Sequence, residues 1–212
     1  MRKFYYSLLL LLGQFATAQQ WKNFDKVKWN VQSFYLITRA TDSKIPLIAE
    51  QFNTADWCST HVGIGIVDKE QFKIFHVTNL EKDSPSAVVR ESIESFIDLP
   101  DATYLSIWEC TVGDALTQQI REVLSSYFNK KIAFDYDFNA EDDEQMYCSE
   151  FCVKVLRDAN TPFDFKTVEK PLGDLYGSVL GKPNLIYWPV DFFQKDSRFH
   201  KIYENWLNRA GY

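Results

Sequence analysis

The chain has 212 residues, 46% hydrophobic and 25% charged, with 8 Gly and 7 Pro, a composition that excludes collagen-like, low-complexity and disordered classes and suits one domain. Lys and Arg number 23 against 29 Asp and Glu, a formal charge of −6, which argues against a nucleic-acid partner because phosphate binding draws on basic residues. The 17 Phe, 11 Tyr and 6 Trp fit either a dense core or an apolar cleft.

At the N-terminus, Arg2 and Lys3 precede a short apolar run, Leu8 to Leu12, and the small-residue pattern Ala16-Thr17-Ala18 follows. This order predicts a signal peptide over 1–18 and a mature domain over 19–212. The run is shorter than the ~20 residues that span a bilayer, and no later stretch approaches that length, so no transmembrane segment is expected after signal removal. No Cys stands beside the cleavage pattern to carry a lipoprotein anchor, so the expected location is the periplasm or the medium. Export gives meaning to Cys58, Cys110, Cys148 and Cys152. Cys148 and Cys152 lie at helical spacing, where bridging geometry is poor, and Cys58 with Cys110 is the one pair open to a disulfide. At least one thiol needs another explanation.

Along the mature chain, Val31 to Thr38 reads as a strand entering a polar turn at Thr41-Asp42-Ser43. In Val62 to Val67, Val62, Ile64 and Ile66 share one face while His61, Gly63 and Gly65 share the other. Two glycines leave that second face bare, so a backbone, a helix or a ligand must approach it. Phe72 to Thr78 forms the next strand, and Asp68 to Gln71 the hairpin loop. A short helix over Ser92 to Leu99, a strand over Thr103 to Cys110 and an amphipathic helix over Asp114 to Phe128 follow. After a loop with a dense acidic end, a helix begins at Cys148 and ends near Asn160, before Pro162. The last fifty residues read as loops with one or two late strands.

Hairpin register decides where the histidines sit. With an even loop, Gly63 faces His76, and His61 and His76 become diagonal neighbours on one sheet face; an odd loop separates them. Cys148 stands where a polar loop turns into a helix, and the unpaired N–H groups there favour a thiolate and can hold an oxyanion. A cysteine nucleophile also needs a base and a group that orients it, roles that two adjacent histidines supply. His200, the third histidine, has no such setting.

Thr60-His61-Val62-Gly63-Ile64, Asp135-Tyr136-Asp137-Phe138 and Tyr147-Cys148-Ser149-Glu150-Phe151 together resemble the YiiX/YebB-like branch of NlpC-type cysteine hydrolases. The likeness spans roughly residues 30 to 200. It implies an α+β, circularly permuted papain-like fold, in which the strand-borne histidine precedes the cysteine helix and a mainly antiparallel sheet packs on that helix. Cys148 is then the nucleophile, His61 the base, and His76 occupies the place of the orienting residue. Many relatives carry an acid there, and a second histidine is more similar to lecithin retinol acyltransferase and its kin. A neutral His76 orients His61 but brings no negative charge. Tyr147, Asp135, Asp137 and Gly63 are the candidate substrate-binding residues.

Two metal readings fit less well. Cys58, His61, His76 and Cys148 are zinc-type ligands, but Cys58-x-x-His61 lacks a matching close pair. Asp135, Asp137, Asn139 and Glu141 alternate like a calcium loop that then meets Ala140 where Gly is needed and Met146 where Glu is needed. No metal and no cofactor is therefore expected. The acidic run from Asp135 to Glu144 reads as a solvated face or as a rim that attracts a cationic group. The expected activity is thiol-dependent cleavage of an amide or ester through a thioester on Cys148, acting on a small peptide of the cell wall or on a lipid-linked substrate. A catalytically silent ligand-binding module of the same fold is the alternative.

Overall fold

The computed structural model describes residues 21–42, 51–79, 86–140 and 142–206. The signal peptide expected over 1–18 lies outside them, as do Ser43 and Glu141. A short 3-10 turn, Phe24–Lys26, leads to β1 (Ser33–Thr41), β2 (His61–Asp68), β3 (Gln71–Val77), β4 (Val88–Glu91), α1 (Ile93–Ile97), β5 (Ala102–Thr111) and α2 (Asp114–Phe128). Then come β6 (Ala133–Phe134), β7 (Gln145–Met146), α3 (Cys148–Asp158), β8 (Val168–Pro171), α4 (Asp174–Leu180), β9 (Asn184–Tyr187) and β10 (His200–Trp206). Six strands form one antiparallel sheet in the order β10-β5-β1-β2-β3-β4. The architecture is α+β, with the sheet mainly antiparallel and the helices few.

Period-two alternation gives the sheet two faces of different character. Phe34, Leu36, Val62, Ile64, Ile66 and Phe75 point to one side, where Ile120, Leu124 and Tyr127 of α2 and Phe151, Cys152 and Val155 of α3 complete the larger core. Tyr35, Ile37, Ile74, Leu105 and Ile107 point to the other, where Ile93, Phe96 and Ile97 of α1 cover them. The two glycines of β2 are on this second face. A Cβ on Gly65 would overlap the Phe72 ring and the Ile37 side chain, so protein side chains fill that bare surface.

The β2–β3 hairpin pairs Asp68 with Gln71 across a two-residue loop, the even register. Lys69 and Glu70 both have positive φ, 47° and 67°, the primed-turn geometry that matches strand twist. Several elements depart from expectation, among them the two-residue strands β6 and β7 in a stretch that reads as loop. Strand β4 was hidden in the sequence because four residues beside a helix start carry little periodicity. Helix α4 occupies seven residues of a stretch that reads as loop. Strand β10 joins the main sheet beside β5, a long-range pairing that local pattern does not encode.

Candidate active site

Helix α3 places Cys148 at its first turn. Tyr147 precedes it in an extended conformation, and its N–H donates to the Glu150 carboxylate at 3.3 Å. The helix start is pinned from both sides by one residue: the Trp188 N–H donates to the Tyr147 hydroxyl at 2.8 Å, and the Ser149 hydroxyl donates to the Trp188 carbonyl at 2.7 Å. Tyr147 is thus buried, with its hydroxyl engaged in holding the helix start. Cys148 remains partly exposed. Burial pushes its thiol pKa up, and the backbone amides of Val62, Ser149 and Cys148, with the charge of Arg39, pull it back down.

The Val62 amide connects the helix to the histidines. The β2–β3 ladder ends at Ile64 opposite Phe75, and beyond it the Val62 backbone N–H is close enough to Cys148 to help hold its thiol pKa down. Continuing the register places Gly63 opposite His76; a Cβ on Gly63 would sit 3.1 Å from the His76 Cβ and 2.8 Å from Ile74 Cγ2. Gly63 therefore lets His76 come close to the strand. The two imidazoles meet edge to face with centroids 4.9 Å apart, and His61 Nε2 lies 2.9 Å from His76 Nδ1. His76 Nε2 in turn lies 2.8 Å from Glu91 Oε1 on β4.

Glu91 is the residue that sequence reasoning missed, and it removes the objection that His76 brings no negative charge. An ionised carboxylate can only accept, so His76 carries its proton on Nε2 and accepts on Nδ1. His61 then donates from Nε2, which leaves the lone pair on its Nδ1. One carboxylate thus sets both tautomers and leaves a base at the end of the array. Burial holds His61 well below its ordinary 6.5, with Arg39 and His76 adding to the effect. Burial also lowers His76, against the opposing pull of Glu91.

Arg39 and Phe96 also belong to the site and were not foreseen. Arg39 is the cross-strand partner of His61. Its guanidinium lies 4.2 Å over the Phe96 ring and donates to the Phe96 carbonyl at 2.5 Å. The Phe96 ring is 5.9 Å from His61 and 5.2 Å from His76, centroid to centroid. A strand arginine reads as a solvated edge charge; only the fold of α1 back over the sheet turns it inward.

The acidic segment is largely occupied with its own backbone. Asp135 is buried, and its carboxylate accepts from the Asp137 and Asn139 amides at 2.7 and 2.6 Å. Asp142 accepts from the Glu144 and Gln145 amides at 3.2 and 2.9 Å. Asp143 pairs with Lys154 at 2.7 Å, and Asp137 is exposed. Glu150, which reads as a dipole or structural group, is buried 2.9 Å from Lys154, an ion-pair contact outside hydrogen-bond angles. All four cysteines are thiols: Cys58 packs with Ala40 and Tyr104, while Cys110 and Cys152 lie in the larger core.

Among the described residues no group of three or more His, Cys, Asp or Glu side chains is placed to hold a metal ion. The ring nitrogens of His61 and His76 are turned toward each other and toward Glu91 instead of converging on one point. No family model matches the chain, and no curated protein matches it. Its structure is similar to the crystal structure of the metalloprotein YiiX from Escherichia coli O157:H7, with TM-score 0.59 and 16% identity over 84% of this chain and 99% of that one. Among the described residues the donors are not grouped as a metal site, and a likeness at 16% identity extends to the fold. The chain has a YiiX-like fold.

Proposed function

We propose that this protein is an exported thiol hydrolase of the permuted papain-like kind, cleaving an amide or ester through a thioester on Cys148. As the sulfur bonds to the substrate carbonyl carbon, the thiol proton passes to His61 Nδ1. The imidazolium returns that proton to the leaving amine or alcohol, and water then hydrolyses the thioester. The Cys148 and Ser149 amides at the start of α3 would donate to the carbonyl oxygen as it gains charge. Burial favours the neutral thiol and the neutral imidazole, so base-assisted attack fits the site better than a standing ion pair. A small peptide amide is the preferred substrate class, with a lipid-linked ester or amide second.

The observation that carries this reading is the continuous array of 2.9 and 2.8 Å contacts from His61 through His76 to Glu91, on a strand that packs against the helix beginning at Cys148. Iodoacetamide alkylation of the native protein tests it. Cys148 is expected to react faster than a model thiol at neutral pH, with no reaction at that position in Cys148→Ala. Since His61 is held below 6.5, the rate should stay high down to that pH and fall only below it, as the base becomes protonated. A Cys148 that reacts no faster than a model thiol at neutral pH sinks the proposal.

A further inference from the structure

The mechanism leaves one charge on the wall of the site unused. A guanidinium has five N–H donors in a planar fork. Arg39 uses one of them on the Phe96 carbonyl and lays its face on the Phe96 ring. Among the described residues it forms no ion pair. Its charge is still felt at Cys148 and at His61, and burial pulls its own pKa down to about 10. Arg39 is partly exposed, and the Glu91 and Asp101 carboxylates act on it without a close pair, so an anion that reaches the site can take its remaining donors.

We infer that Arg39 is the specificity residue of this site and binds a carboxylate carried by the substrate next to the scissile carbonyl. The inference rests on the hydrolase reading for the nature of the reaction. Arg39 projects from β1 beside His61, whereas the oxyanion donors come from α3, so the two anionic groups of a bound substrate would be held from different sides. A planar, singly charged carboxylate matches the free part of the fork. A doubly charged phosphate would call for a second cation, and the charged groups that act on Arg39 are Glu91, Cys148 and Asp101, none of them a cation. The arriving carboxylate also cancels the field that Arg39 exerts on His61. The base thereby strengthens when an acidic substrate is seated.

Two alkylating agents that differ in one group test this in the full chain: iodoacetate and iodoacetamide. Relative to a model thiol, Cys148 should prefer iodoacetate by about tenfold or more, one decade being ~1.4 kcal/mol. Arg39→Gln should return the ratio to that of the model thiol, and Arg39→Lys should keep part of it. Loss of thiolate stabilisation alone would slow both reagents equally and leave the ratio unchanged. A wild-type ratio equal to the model thiol, or a preference that survives Arg39→Gln, overturns the inference even when Cys148 is reactive. Should Cys148 react with neither reagent, the hydrolase reading fails separately, and titration with acetate decides about Arg39. Acetate should shift the His61 imidazole resonances saturably where acetamide does not, and Arg39→Gln should abolish the shift while retaining dispersed imidazole signals. No saturable shift with acetate in the wild type overturns it.

Discussion

Two polar arrays lie on opposite sides of the same sheet, and they end differently. On the α1 side, Glu91, His76 and His61 form a line with one carboxylate at its far end and a free ring nitrogen at the other. On the α3 side, Glu150, Lys154 and Asp143 form a closed group, with the ammonium 2.9 and 2.7 Å from the two carboxylates and also donating to the Asp142 carbonyl. The closed group returns its charges to one another and fastens the acidic segment to the helix. The open line has a terminus with nothing in the array to accept, which is where a base belongs. Buried charge alone does not mark a candidate site; an unspent end does.

The largest expected effect comes from breaking the line at its anionic end. Glu91→Gln removes the charge that fixes both tautomers, and its amide N–H₂ can donate to His76 Nε2, which moves the proton to Nδ1 and reverses the chain. Cys148 reactivity and hydrolysis should fall by about 10²–10⁴, the range of a lost general base, with little change in the unfolding midpoint. Retention of the wild-type rate would show that Glu91 is structural. Breaking the closed group should do the opposite. Lys154→Met strands the Glu150 carboxylate, 0% exposed, in the protein interior. A loss of about 3–5 kcal/mol of stability is expected at pH 8. Even with Lys154 present, the Glu150 pKa is pushed up to about 7, mainly by burial. The neutral acid is therefore the favoured folded form at pH 5, and the deficit measured by denaturant titration should shrink there. A deficit equal at pH 5 and pH 8 would contradict the pairing.

The two arrays were unequally legible in the sequence. Cys148 at a loop-to-helix junction and His61 and His76 on adjacent strands were readable, since strand parity and helix starts are local signals. The even register, on which the histidine contact depended, rests on a turn with two non-glycine residues at positive φ, which the Lys69-Glu70 pair does not announce. Glu91 was missed because β4 is four residues long and its partner lies fifteen residues upstream. Val89 and Glu91 share parity, and a β3–β4 pairing would have put both on the histidine face, but nothing local fixes that pairing. Arg39 was missed because its role depends on α1 folding over β1. In Glu150-x-x-x-Lys154 the spacing is visible, whereas the burial that gives the pair its energy is a tertiary property.

The smallest effect tests how far the closed group depends on its outer member. The Asp143 side chain is 73% exposed, yet Lys154 holds its carboxyl below the usual 3.8. A depressed carboxylate contributes stability above its unfolded pKa and loses it as pH falls through the lower folded value. Solvent screening limits that contribution to under about 1 kcal/mol. Asp143→Asn should therefore lower the unfolding midpoint slightly at pH 7, and the difference should disappear below the folded pKa, where wild-type Asp143 is itself protonated. Cys148 alkylation should not change, because Asp143 serves the far side of α3. A drop in alkylation rate in this variant would mean that the closed group communicates with Cys148 through the first turn of the helix, and the separation between the two arrays would have to be abandoned.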